Sequence, residues 1–227
     1  MRSILVKQIN DPIISKLLDH IKKPNISYGP WIAGGAARML WFDKPWHEHD
    51  IDFFFPTVKM FDKIKKKLDK LVLTKSERKK NKTNVEKLLS KIRGQDIFEA
   101  TTTESSKRHV TPNACTYTLT FDKTEIKAQI INRQFYQTVD DVWNDFDFRV
   151  CNFATDGKIL IADANGIEDC KNQVLICNEP LTRRIDVKRT IKYSLYGFSP
   201  EEKIVRELFK QHKDGTLMEG WKDDYPS

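Results

Sequence analysis

Residues 31–55 read WIAGGAARMLWFDKPWHEHDIDFFF. A short apolar run ends at Gly34-Gly35, a helix-favouring AARMLW follows, and a polar loop leads to Asp50-Ile51-Asp52 at the mouth of a very apolar strand that Pro56 stops. Aspartates at i and i+2 on a strand point to one face, so their carboxylates can share a cation. Mg²⁺ takes hard oxygen ligands and binds through one or two carboxylates plus substrate phosphates, and two such ions can flank an in-line displacement at phosphorus. A glycine pair lets backbone approach an anion with no Cβ in the way. The following helix start offers N–H groups to the same anion, and Arg38, one turn in, adds a fork of donors. Asp50 and Asp52 are therefore the candidate metal ligands for two Mg²⁺. Gly34, Gly35 and Arg38 are the candidate contacts to a nucleoside triphosphate.

Outward from this stretch, the pattern predicts a helix over 11–22, opened by Asp-Pro, and a strand over 26–33. A helix starts over 36–41, a strand covers 50–55, and an amphipathic helix opened by Thr57 runs over 57–72. A second, basic helix is expected near 83–93 and a polar loop or hairpin over 99–114. Strands follow at 115–122 and 124–132 around an Asp122-Lys123 turn. A short helix is expected over 138–144, then strands at 147–155 and 157–162 around Asp156-Gly157. After Pro180 come two helices, 181–197 and 200–212, the second opened by Ser199-Pro200-Glu201-Glu202. The fold class is α+β: a mixed or antiparallel sheet flanked by helices in a head over 1–178, then a helical neck and short tail over 179–227.

The chain has 227 residues, 39% apolar and 31% charged, which suits a water-soluble domain with a real core. No apolar run nears the roughly 20 residues needed to span a bilayer, and MRSILVKQINDP lacks a signal-peptide core. Cys115, Cys151, Cys170 and Cys177 show no CxxC spacing and read as reduced thiols of a cytoplasmic protein. The net charge of +7 is concentrated: Lys59 to Arg93 holds fourteen Lys/Arg against four Asp/Glu. Such a segment either grips a polyanion by counterion release or is a solvated lysine-rich face.

The ordered motifs resemble the nucleotidyltransferase superfamily that includes DNA polymerase β, and within it the head and neck of tRNA nucleotidyltransferases (CCA-adding enzymes) and bacterial poly(A) polymerases. WIAGGAARMLWFDKPWHEHDIDF is similar to the family pattern GGxxRDxL…DxD, with Met39 where the family often has Asp. DFDFRVCNFA (145–154) resembles RRDFTINALA, placing Asp147 on the motif's aspartate and Asn152 near its asparagine. EPLTRRIDVKRTIKYSLYGF (179–198) resembles the neck pattern, and EEKIVRELFK (201–210) the helix after it. The resemblance implies a nucleotidyltransferase-type sheet and transfer of a nucleoside monophosphate from an NTP to a hydroxyl acceptor such as the 3′ end of a tRNA. It implies catalytic roles for Asp50 and Asp52, with Glu125 the nearest carboxylate for a third. It gives nucleotide-binding roles to Gly34, Gly35, Arg38 and Asp147, and base-reading roles to Arg183, Asp186 and Arg189. The implied partners are NTP and RNA, the latter through the basic 59–93 segment.

This chain departs from the pattern. Asp145 and Phe146 stand where the family has two arginines, and the strand EIKAQIINR offers Lys127 and Gln129 on the face where a third carboxylate belongs. Three other readings stay open: His47 and His49 as zinc ligands beside the aspartates, nucleotidylation of a protein or small molecule, and a catalytically impaired nucleic-acid-binding module. The aromatic set Trp31, Trp41, Phe42, Trp46 and Phe53–Phe55 reads as core before it reads as a base-stacking platform.

Overall fold

The Gly34-Gly35 turn and the Asp50–Asp52 segment meet in the middle of an eight-stranded sheet. The computed structural model describes residues 2–21, 24–72, 107–121, 123–179 and 185–216. Among these the strand order is β1 (Ile4–Gln8), β8 (Ile159–Asp163), β7 (Phe153–Thr155), β2 (Trp31–Ala33), β3 (Ile51–Phe54), β6 (Thr124–Ile131), β5 (Ala114–Phe121), β4 (Arg108–Val110). Every pairing in this sheet is antiparallel except β3 with β6. The chain leaves β3 through helix α3 (Val58–Val72) and comes back along β6 only after β5.

Strand alternation divides the core. Ile32, Ile51, Phe53 and Ile130 face one side, where α1 (Pro12–His20) contributes Ile14, Leu17 and Leu18, α2 (Gly35–Trp41) contributes Ala36, Ala37 and Leu40, and α3 contributes Phe61, Ile64 and Leu68. Asp11 opens α1 by accepting the Ile13 and Ile14 N–H groups, with Pro12 at the first helical position. The other side packs Trp31, Ala33, Phe54 and Ile161 against Val142 and Trp143 of α4 (Val139–Asn144). Thr138 and Asp141 close a reciprocal capping box at its start. Each large side chain so buried contributes roughly 1.5–3 kcal/mol.

A third cluster joins the head to the C-terminal helices. Phe148, Val150, Leu175 and Cys177 pack with Ile185 and with Ile204 of α7 (Glu202–Lys213), and Tyr193 of α6 (Val187–Leu195) closes over them. Alongside, β9 (Val174–Leu175) pairs in parallel with β10 (Ser199–Pro200). Among the described residues no helix is long and apolar enough to cross a membrane. All four cysteines are free thiols.

The structure differs from the sequence expectations in five places. Residues 4–8 form an edge strand, held by pairing with a segment more than 150 residues away. The strand expected over 26–33 shortens to Trp31–Ala33, with 26–28 in a turn. The strand expected over 147–155 is a 3₁₀ turn at Arg149–Cys151 followed by β7, because Arg149 bends to make two 2.7 Å bonds to the Asp169 carboxylate. Helix α5 (Ala164–Asn172) follows β8 where no helix is expected. Ser199-Pro200 pairs as β10 instead of capping α7, whose N-cap is Glu201 with no side-chain cap bond. The basic helix near 83–93, most of the 99–114 segment, Asp122 and the tail beyond 216 lie outside the described residues.

Candidate functional site

Asp52 is the register partner of Ala33 on β2 and of Gln129 on β6. Asp50 stands just before β3, and its charge reaches Asp52. The backbone of Gly34 runs directly past this carboxylate: a Cβ built there would lie 4.0 Å from Asp52 Oδ2 and 3.8 Å from the Phe146 ring. Gly34 has φ 88° and ψ −135°, a conformation essentially closed to residues with a side chain. Its N–H donates to the Phe153 carbonyl at 3.0 Å, tying the turn to β7. Helix α2 that follows is only seven residues long, so its dipole adds little to the turn itself.

Asp50 is exposed, whereas Asp52 Oδ1 is buried with no hydrogen-bond partner. Burial, and then the charge of Asp50, push the Asp52 carboxyl up to about 7, against the opposing pull of Lys192 and Arg189 from α6. A half-buried carboxylate beside a second one, with its buried oxygen unsatisfied, is short of positive charge. A divalent cation fits that deficit: Asp50 and Asp52 would hold it, with remaining ligands from phosphate and water. Among the described residues no group of three His, Cys, Asp or Glu gathers into a metal site, so the zinc reading of His47 and His49 finds no support there.

His49, weighed from sequence as a zinc ligand or an exposed loop residue, belongs to this site. Its Nδ1 lies 3.4 Å from where a Gly35 Cβ would sit, and its ring meets Tyr196 edge-on at 6.1 Å. Burial, then the positive charges of Arg38 and Lys192, hold its pKa below the usual imidazole value. Lys192 and Tyr196 come from the neck, and sequence order alone gave no sign that the first returns to Asp52 and the second to His49.

The other expected residues are placed differently. Arg38 is 4% exposed. Its guanidinium lies between the rings of Tyr193 and Phe198, at 5.2 and 5.4 Å, with Nη1 buried and unpartnered. It therefore joins head to neck by cation–π contact beneath the turn, and the expected open fork toward a triphosphate is not what the fold presents. Asp147 is buried and accepts a 2.8 Å bond from Arg189 Nη1. Asp186 caps α6 by accepting the Arg189 N–H at 3.1 Å, with its other oxygen 3.9 Å from Arg189 Nε. Asn152 bonds Asp163 and Asn178 in a buried polar cluster. Arg183 lies outside the described residues. Phe146 fills the space beside Gly34 where the family pattern has arginine, packing edge-on against Phe54 at 5.5 Å. Asp145 accepts a 2.8 Å bond from the Tyr136 hydroxyl.

The register sets Glu125 away from Asp52. It lies four residues before Gln129 on β6, about 13 Å along the strand. Gln129, level with Asp52, donates to Thr116 Oγ1 at 3.0 Å. The described part of the basic segment is α3, where Lys59, Lys63, Lys66 and Lys70 form one exposed stripe. The helix packs on the sheet face opposite the one that carries Asp52.

A mixed sheet carrying a glycine turn and an Asp-x-Asp pair, with a helical neck folded onto it, is a nucleotidyltransferase-like fold. The solved structure of the Thermotoga maritima CCA-adding enzyme complexed with tRNA matches with a TM-score of 0.54 at 16% identity, covering 95% of this chain and 47% of that one. Complexes of CCA-adding enzyme with CTP and with ATP match with TM-scores of 0.53 and 0.52, at the same identity and coverage. At this identity the likeness is one of fold, and the chain spans about half the length of those enzymes. The chain belongs to the Gad2 family, the Gabija anti-defense 2 family proteins, whose sequence model matches residues 8–173. No curated protein matches it in sequence.

Proposed function

We propose that the protein is a metal-dependent nucleotidyltransferase that moves a nucleoside monophosphate from an NTP to a hydroxyl acceptor and releases pyrophosphate. The observation that carries this reading is the Asp52 carboxylate, unpartnered at Oδ1, facing the Gly34 turn from one side and the charges of Lys192 and Arg189 from the other. Asp50 and Asp52 hold Mg²⁺, which when bound neutralises both the carboxylates and the triphosphate. Gly34 and Gly35 let the phosphates approach the backbone, and Lys192 supplies a mobile positive charge on the neck side. Gln129 cannot accept a proton from an acceptor hydroxyl, so turnover is expected to be slow.

The fold likeness supports the 3′ end of an RNA, such as tRNA, as acceptor, with the 59–93 segment as its grip. A second reading is favoured by the family to which the chain belongs. The acceptor is then a protein or small molecule of the Gabija defence, and the half-length match to the CCA-adding enzymes is consistent with it. Incubation with each α-labelled NTP, Mg²⁺ and either total RNA or a Gabija-bearing lysate separates the two. Label on RNA supports the first reading and label on protein or a small product the second. No transfer and no NTP binding leave a nucleic-acid-binding module. Transfer that survives Asp50→Asn with Asp52→Asn overturns the metal assignment. If RNA is the acceptor, neutralising Lys65, Lys66 and Lys67 weakens its retention in a filter-binding assay.

A further inference from the structure

Among the described residues, one end of the large sheet is an apolar strand left open. β1 pairs with β8 on one side and is the outermost strand on the other. The bonds that flank its ladder fix which backbone groups face β8. The Ile9 N–H donates to the Lys158 carbonyl at 2.9 Å, and the Ala164 N–H to the Ser3 carbonyl at 2.8 Å. Hydrogen-bonded and non-hydrogen-bonded pairs alternate along an antiparallel ladder, and the register from Ile4 to Gln8 is unbroken. Residues 3, 5, 7 and 9 therefore turn their N–H and C=O groups to β8, while Ile4, Val6 and Gln8 turn theirs away from the sheet. The side chains along this edge are apolar and exposed: Ile4 by 42%, Leu5 by 46% and Val6 by 66%. Sheet edges are ordinarily blunted by a charge, a proline or a bulge. The strand ILVKQ has no proline and no bulge. Its one charge, Lys7, is folded back onto Asp43 at 2.7 Å and the Trp41 carbonyl at 3.1 Å, so it does not guard the edge.

We propose that β1 pairs antiparallel with β1 of a second copy of this chain, with Leu5 opposite Leu5, joining two sheets into one. The occupant is a second copy because the strand is its own complement. Among the registers that bring the outward groups of Ile4, Val6 and Gln8 into phase, the one centred on Leu5 sets an apolar residue against an apolar residue at all three positions. Ile4 and Val6 meet Val6 and Ile4 of the second copy as hydrogen-bonded pairs, and the two Leu5 side chains meet at the non-hydrogen-bonded pair on the two-fold axis. Lys7 then faces Ser3, and Arg2 faces Gln8, so no like charges lie directly opposite. A parallel pairing in register would set Lys7 on Lys7. Main-chain bonds supply the affinity in such strand addition. A single short strand pair lies at the small end of the interface range, below roughly 1,200 Å², so the dissociation constant is expected to be on the order of micromolar. The pairing is independent of the nucleotidyl-transfer reading.

The test is analytical ultracentrifugation of the full chain from about 1 to about 300 µM, a span that brackets a micromolar constant. The mass is expected to rise with concentration to twice that of the chain and to stop there. Val6→Pro deletes an outward N–H and leaves the β8 ladder its bonds, as edge positions allow. It should weaken dimerisation by roughly tenfold or more, because each dimer loses two backbone bonds. Val6→Lys, which keeps the backbone donor, should weaken it likewise, and circular dichroism checks that both variants stay folded. The register is read by mild oxidation: Leu5→Cys should give a covalent dimer, since facing Cβ atoms at such a pair lie about 4.5–5.5 Å apart, whereas Lys7→Cys and the unsubstituted protein should not. A monomer at every concentration overturns the proposal, which leaves the edge to some other partner. So does a mass that climbs past the dimer, a dimer that folded Val6→Pro and Val6→Lys leave intact, or crosslinking at Lys7→Cys in place of Leu5→Cys.

Discussion

Replacing Asp52 by Asn should stabilise the metal-free protein above neutral pH and abolish its response to Mg²⁺. The Asp52 carboxyl is moved from 3.8 to about 7, chiefly by burial and then by Asp50. Three units correspond to about 4 kcal/mol of preference for the protonated form in the folded state. The sign follows from linkage: with the folded pKa raised, the native protein holds a proton that the unfolded chain has lost between pH 4 and 7. Stability therefore falls as pH rises through that window and is flat above it. Asn keeps the shape and carries no charge, so Asp52→Asn should remove the slope. The gain should be near zero at pH 4 and grow to about 2–4 kcal/mol at pH 8, the upper figure being the whole electrostatic cost. Urea unfolding in EDTA at five pH values between 4 and 8 reads this directly. Adding Mg²⁺ at about a hundred times its dissociation constant should raise wild-type stability by roughly 2.7 kcal/mol and leave the variant where it was. Parallel pH profiles for the two proteins, or a variant less stable than wild type at pH 8 without metal, would refute the reasoning.

Three further substitutions probe the frame around the carboxylates. Gly34→Ala meets no severe clash, since the nearest atoms are 3.8 and 4.0 Å away, but φ of 88° with ψ of −135° makes it cost about 1–3 kcal/mol. Its methyl would stand beside Asp52, so Mg²⁺–NTP affinity by calorimetry should fall well beyond what the thermal shift explains. Arg189→Ala leaves the buried Asp147 without its 2.8 Å partner and should destabilise by about 1–3 kcal/mol in urea unfolding, with Asp147→Asn in the same background recovering part of the loss. Gly166→Ala would put a Cβ 2.4 Å from the Arg149 carbonyl oxygen. The expected cost is about 1–3 kcal/mol, some 2–9 °C in Tm, with an unchanged Tm the result that contradicts the packing.

The sequence showed those parts of the fold whose causes are local. The segment from β2 through α2 to β3 was legible because a glycine pair, a helix-forming run and an apolar strand follow one another within 25 residues. The β5–β6 and β7–β8 hairpins were legible through their turn residues, Lys123 at φ 68° and Gly157 at φ 89°. What escaped depends on distant partners. Edge strand β1 exists because β8 offers it five register partners. Helix α5, in the unpromising run ANGIEDCKN, is held by an Asp163 cap, by the Arg149–Asp169 pair, and by a glycine that lets it press against the Arg149 backbone. Within the candidate site, the Asp-x-Asp spacing and Gly34 were legible from residue type. The burial of Arg38 and the return of Lys192 and Tyr196 were not, because both follow from how the neck docks.

That docking carries the site beyond the residues that define the family. The sequence model that defines the family ends at residue 173, yet the electrostatic state of Asp52 depends on Lys192 and Arg189, and that of His49 on Lys192. The neck is not a separable appendage in physical terms. Phe148, Val150, Leu175 and Cys177 share their core with Ile185 and Ile204, and Arg38 of α2 is enclosed by Tyr193 and Phe198. A buried guanidinium between two rings is favourable only while both rings stay in place, because without them its charge has neither water nor an aromatic face. The glycine turn, the carboxylate pair and the neck thus form one cooperative unit. A change that loosens α6 acts on the electrostatics of Asp52 as surely as one at the strand itself.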